Sequence, residues 1–351
     1  MLRIFSAATF VATFCIHSLA LGFQVSQFSS KNIYLRGYCS ENIDVSFNAD
    51  MPTSPGNFYM GLAAANLSYQ KNKLIKENQL ERWGFKKVHH LGKDKKGYRA
   101  YVAEHRKFVL ISVRGTKSNQ DYLTNAMFFQ SNFDEYSRIE GTRVHAGMKD
   151  AYEKLRAPLY ELLSEITDQS KPIFLTGHSL GGALGILLTY ELYLDGYNIR
   201  AMNAYAQPKV GNDKLQKQID RTVGHLIFGL AAEDDITPMV PPQAESAKNF
   251  SEIITEKQPA LRKLIKNTVL HLNYNKSPGK LFVMHNEGPA LIKITEDKNP
   301  IRRELAYWKR VSTELADRSD LKRLFDFVAT RFTSHPTQKY LCQVASYVVP
   351  H

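Results

Sequence analysis

Residues 172–196 read PIFLTGHSLGGALGILLTYELYLDG, and this stretch decides the fold. Ile173 to Thr176 is a short apolar run, as a strand buried on both faces should be. Leu180 to Leu194 is an apolar helix, stopped by Asp195-Gly196. Working outward, residues 98–113, YRAYVAEHRKFVLISV, predict two strands joined by a polar turn at Glu104 to Lys107. The second, Phe108 to Val113, is almost wholly apolar and runs into Arg114-Gly115-Thr116. Residues 148–166 place Tyr152, Leu155, Leu159, Leu162 and Ile166 at helical spacing. Further strands are expected at 199–206 and 225–230. Short apolar strands alternating with helices imply a mostly parallel central sheet with helices on both faces. The fold class is α/β.

The chain has 351 residues, 43% hydrophobic and 23% charged, which excludes collagen-like, disordered and coiled-coil classes. Residues 1–22, MLRIFSAATFVATFCIHSLALG, carry one early cation, a short apolar run and small residues at Ser18 and Ala20. They read as a signal peptide, with a retained anchor as the alternative, and predict a secreted or periplasmic protein. An extension over 23–60 and a catalytic domain over 61–351 would follow. Cys15 lies in the leader, leaving Cys39 and Cys342 as a candidate disulfide or as two buried thiols. Nothing in the cysteine or histidine spacing calls for a metal or other cofactor. His89 and His90, adjacent on a strand, should point apart.

Lys and Arg outnumber Asp and Glu by 46 to 34, a net charge of +12. Residues 71–107 alone hold twelve basic and four acidic side chains. Such a field draws phosphate, on nucleic acid or on an anionic lipid surface, unless it is simply a solvated helix and hairpin. No nucleic-acid motif accompanies it, and the leader argues against that partner.

The chemistry is expected at Gly177-His178-Ser179-Leu180-Gly181. A G-x-S-x-G run between a buried strand and a helix is the context of a nucleophile elbow. The turn is tight enough that side chains at 177 and 181 would strike backbone, while the Ser179 hydroxyl projects from the sheet edge. An ordinary glycine-rich turn is the plainer alternative.

GHSLGGAL at 177–184, with RGT at 114–116, VHAGM at 144–148, YAQPKVGN at 205–212 and DITPMVPP at 235–242, resembles the class 3 (fungal-type) lipases, in that family's order. SHPTQKYL at 334–341 resembles its C-terminal part. The resemblance implies an α/β-hydrolase fold and a Ser-Asp-His triad that hydrolyses carboxylic esters of lipids, triacylglycerol or phospholipid. It puts Asp235, with Asp234 as its neighbour, in the acid's place. It puts His335 in the histidine's place, with His285 and His271 as alternatives that could instead bond within a hairpin around Ser277-Pro-Gly279. Oxyanion donors would be the Leu180 N–H and Thr116, with Arg114 bracing that turn. A mobile lid would fall at 117–130, where Tyr122, Leu123, Ala126, Met127 and Phe129 share a helical face.

About a hundred residues separate Asp235 from His335, more than a compact member of the family uses. Residues 245–332 therefore read as an insertion, mainly helical, with a hairpin near 268–285 and an amphipathic run at 302–332. The resulting expectation is an exported serine esterase acting at a membrane or micelle surface, anionic by the charge argument. An acyltransferase with the same triad, or a non-catalytic protein on the same fold that binds an acidic partner, are the rivals.

Overall fold

A computed structural model describes residues 54–92, 99–115, 130–166, 168, 170–257, 273–286, 292–316, 337, 340 and 344. The leader, Cys39, Cys342, Thr116, residues 117–129, His271 and His335 lie outside them.

In chain order the elements are α1 (Pro55–Leu67), α2 (Lys73–Arg82), β1 (Phe85–Leu91), β2 (Ala100–His105), β3 (Val109–Val113), β4 (Gln130–Asn132), α3 (Asp134–Ser137) and β5 (Arg143–His145). Then come α4 (Ala146–Glu165), β6 (Ile173–His178), α5 (Leu180–Leu194), β7 (Ile199–Tyr205), α6 (Asp213–Val223) and β8 (Ile227–Ala232). The rest are α7 (Ala244–Lys257), β9 (Lys280–Asn286), β10 (Ile292–Glu296) and α8 (Pro300–Ala316). The main sheet has the order β1-β2-β3-β6-β7-β8-β9-β10. Strands β3, β6, β7, β8 and β9 run parallel, and β1, β2 and β10 close the two edges antiparallel. This is an α/β-hydrolase fold.

Alternation along each strand sorts side chains to two cores. Val102, Ile111, Val113, Ile173 and Leu175 face Tyr152, Leu155 and Leu159 of α4 and the helix α5. Tyr101, Ala103, Leu110 and Phe174 face the other way, against Phe58 and Leu62 of α1 and against Tyr340 and Val344 near the C-terminus. Helix α1 spans the position between residues 60 and 61 where the sequence alone puts the domain start. Its residues from Asn57 to Leu67 are all buried, so no amphipathic stripe announces it. Ser54 caps its start by accepting the Asn57 N–H at 3.2 Å.

His145, from the VHAGM block, is a further buried polar group. Its Nδ1 accepts the Gly147 N–H at 3.2 Å at the start of α4, and burial pulls its pKa down to about 4. It is therefore a neutral acceptor at ordinary pH.

Among the described residues, the segment 245–332 is mainly helical, in α7 and α8, with one hairpin between them. A hairpin lies at 280–296, and β9 joins the main sheet parallel to β8, while residues 268–272 of the expected hairpin lie outside the described residues. The described part of the amphipathic run is α8, which packs on α7 and buries Trp308 and Val311; residues 317–332 of the run lie outside the described residues.

Candidate active site

Parallel strands deliver their carboxyl ends to one edge, and three connections meet there. Val113 at the end of β3 pairs with Gly177 of β6, and His178 pairs with Tyr205, which pairs in turn with Leu230 of β8. The turn at Arg114-Gly115, the turn at Ser179 and the loop at Asp235 are thus neighbours by register.

Ser179 sits between β6 and α5 with φ 57° and ψ −133°, a conformation that L-residues rarely hold. Such backbone costs on the order of 1–3 kcal/mol and persists only where its surroundings over-determine it. Here they do. The Ser179 N–H donates to the Tyr205 carbonyl at 2.8 Å, and its own carbonyl accepts from Gly182 at 2.9 Å. A side chain at 177 would overlap the Gly181 backbone, and one at 181 would overlap the carbonyl of Val113 and the backbone of Arg114 and Gly115. Only glycine permits that approach, which seats the first turn of α5 against the 114–115 turn. The N–H groups of a first helical turn have no partners within the helix, and Leu180 opens this one. Their dipoles favour negative charge beside Ser179.

Asp235 follows β8 and is fully buried, whereas Asp234 is exposed. Its Oδ1 accepts the Thr237 N–H at 2.8 Å, and its Oδ2 accepts the Tyr340 hydroxyl at 2.7 Å. The same Tyr340 oxygen accepts the Ala232 N–H at 2.7 Å. The Tyr340 ring meets His178 edge-on at 5.9 Å, which joins the acid's surroundings to the residue before Ser179. Thr337 donates from Oγ1 to Asn66 Oδ1 at 2.8 Å, tying the same C-terminal segment to α1. Tyr340→Phe should leave the Ala232 N–H unpaired and take one donor from Asp235. The expected loss is about 1–3 kcal/mol of stability, read as a lower denaturant midpoint. An unchanged midpoint would show that this hydroxyl holds nothing.

His285 is accounted for elsewhere. Its Nδ1 lies 3.1 Å from Glu233 Oε2, just past β8, and its Nε2 lies 2.9 Å from Thr295 Oγ1 across the β9–β10 hairpin, so both ring nitrogens are engaged. Likewise His89 and His90 diverge, to Glu104 and Glu77.

Two further arrangements were not legible in the sequence. Tyr69 brings its hydroxyl to 3.1 Å from His178 Nδ1, and the Gly115 backbone bonds the same hydroxyl. Burial pushes this phenol well up, so it stays protonated and bridges the 114–115 turn to the serine turn. Lys209, of the YAQPKVGN block, is buried with Glu304 of α8. Its Nζ lies 2.5 Å from Glu304 Oε2 and 2.9 Å from the Pro241 carbonyl. Glu304 Oε1 accepts the Gln243 N–H at 2.7 Å, and Trp308 Nε1 donates to the Met239 carbonyl at 3.3 Å. Helix α8 therefore clasps the loop that follows Asp235. No signal short of the fold could have paired residues so far apart.

A family model described as lipase (class 3) matches residues 110–245. A secreted mono- and diacylglycerol lipase of Fusarium solani is 33% identical over 153 residues, 42% of this chain and 44% of that protein. A lipase of Rhizopus niveus is 29% identical over 157 residues, 43% of this chain and 39% of that one. The chain thus spans less than half the length of these curated relatives. Among solved structures, lipase II of Rhizopus niveus aligns with a TM-score of 0.52 at 20% identity, covering 73% of this chain and 89% of that one. The native propeptide complex of Rhizomucor miehei lipase aligns with a TM-score of 0.53 at 19% identity, covering 80% and 89%. Such identities carry the fold alone. Over residues 110–245, on an α/β-hydrolase sheet, this chain matches the class 3 lipases, as its five sequence blocks imply.

Proposed function

We propose that this chain is an exported serine hydrolase that cleaves carboxylic esters of lipids presented at a membrane or micelle surface. The strained Ser179 turn, built against the 114–115 turn and facing a helix N-terminus, carries the reading. In it, Ser179 Oγ attacks the acyl carbonyl while His335 takes its proton and Asp235 holds the imidazolium. The oxyanion is held by the Leu180 N–H and by Thr116. Collapse expels the alcohol with the histidine's proton, leaving an acyl-serine that water then attacks, releasing the fatty acid and restoring the serine.

Several observations support these roles. Asp235, and not Asp234, is buried and bonded on both oxygens. Thr337 and Tyr340, two and five residues past His335, reach Asn66 and Asp235, while His285 is committed to Glu233 and Thr295. Export is supported by the leader-like residues 1–22 and by the secreted lipases among the relatives. Relatives named as acylglycerol lipases and as a phospholipase A1 of Oryza sativa leave both headgroup classes in view.

The test is fatty acid release by the full chain from emulsified diacylglycerol and from phospholipid vesicles. Release from either supports the reading, and the preferred one names the lipid class. No release from either, with a soluble acyl ester also untouched, overturns it. Thr116→Val should lower kcat by roughly 10²–10³, since one oxyanion donor supplies about 3–4 kcal/mol of barrier. A KM change at constant kcat would remove Thr116 from the oxyanion role.

A further inference from the structure

Among the described residues, the cations of the basic stretch 71–107 do not form one face. β2 runs away from the serine edge and β1 runs back towards it, which splits the cations between opposite edges of the sheet. Lys86, Arg106 and Lys107 gather with Lys171 around His105, whose pKa burial lowers first and these four cations lower further. That group lies at the amino ends of β3 and β6, far from Ser179. The second group begins two residues after Tyr69, whose hydroxyl touches His178. Lys71 and Lys73 are exposed there, and Lys73 opens α2 with Asn72 as its cap. Four residues reach at most about 14 Å, so Lys73 stays close to the serine turn.

Behind them Lys76 is buried over the Tyr101 ring, 5.4 Å from its centroid. Burial pulls Lys76 down to about 8, and Arg99, Arg114 and Lys73 pull the same way against Glu77, which bonds His90. Arg99 and Arg114 are joined through their backbones at 2.9 Å, immediately before the oxyanion turn. Beside this positive rim stands Leu74, 63% exposed, the most exposed large apolar side chain among the described residues. Exposed Lys71 and Lys73 precede it in the chain, while Glu77, one helical turn on, is bonded to His90. An apolar side chain next to exposed cations has no complement in water. It is matched by a surface whose outer layer is anionic and whose interior is hydrocarbon.

We infer that the start of α2, with Lys71, Lys73 and Leu74, docks the protein on anionic phospholipid surfaces with the Ser179 edge of the sheet turned towards the lipid. This rests on the lipid-ester reading above. Leu74 would enter the headgroup layer while Lys71 and Lys73 meet lipid phosphates and carboxylates, with Arg99 and Arg114 adding to the field at the rim. The cation group around His105 would stay in water.

The test uses the full chain carrying Ser179→Ala, so that vesicles stay intact, and measures co-sedimentation with phosphatidylcholine vesicles with and without phosphatidylserine. Binding should require phosphatidylserine and weaken with salt. Lys71→Gln/Lys73→Gln should weaken it by about tenfold or more, and Leu74→Ser by several-fold on vesicles of either ionic strength. Lys86→Gln/Lys107→Gln removes the same charge from the opposite edge and should leave affinity within about twofold. Equal losses from both double variants would mean that net charge alone acts, and would overturn the assigned face. So would binding indifferent to phosphatidylserine. Fluorophosphonate labelling of the unmutated chain reports the catalytic reading separately, so a failure of docking and a failure of catalysis are told apart.

Discussion

Ser179→Ala is expected to reduce hydrolysis of a soluble acyl ester by about 10⁴–10⁶-fold while leaving the fold intact. The size follows from what the hydroxyl does in the proposed sequence of steps. Without it no acyl-enzyme forms, and only the oxyanion donors and substrate binding remain, which by themselves give a modest rate over water. Folding should survive because the strain at residue 179 belongs to the backbone. The bonds from its N–H to Tyr205 and from Gly182 to its carbonyl use no side chain. Kinetics at matched melting temperature make the comparison clean. A variant that keeps a tenth of the activity would place the nucleophile elsewhere.

Lys209→Met should be the most damaging change to stability outside the site. Burial pulls the Lys209 pKa below the ordinary lysine range, and Glu304 pulls it back. The side chains are 1% and 4% exposed, so removing the cation strands a buried carboxylate. Breaking such a pair by one partner costs about 3–5 kcal/mol, whereas replacing both partners by apolar groups costs far less. Lys209→Met alone should therefore lower the unfolding midpoint strongly, and Lys209→Met/Glu304→Leu should recover part of the loss. The recovery should be incomplete, because the Pro241 carbonyl loses its Lys209 bond in both variants and the Gln243 N–H loses its Glu304 bond in the double one. If the double variant is as unstable as the sum of the singles, the two side chains are not coupled.

How much of this was legible follows the range of the signal. Leu180–Leu194 and β3 could be read because a helix stop and an unbroken apolar strand are local patterns. The turn at Ser179 could be read because tight geometry leaves glycine no substitute at 177 and 181. Helix α1 escaped because it is buried on every side, which erases the period that marks a surface helix. Strand β9 was blurred for a related reason. KLFVMHN has polar ends and a short apolar middle, so its place beside β8 depends on parallel pairing across the chain. Choosing Asp235 over Asp234 rested on family register, and burial points the same way. Tyr69 and the Lys209–Glu304 pair lay beyond reach, since each works only through partners brought close by the fold.

The most direct test of a serine activated at the elbow is fluorophosphonate labelling of the full chain, followed by intact mass and peptide mapping, beside Ser179→Ala. The account predicts one adduct, located on Ser179 and absent from the variant. Labelling that persists in the variant, or none in either protein with lipid vesicles present, would contradict it.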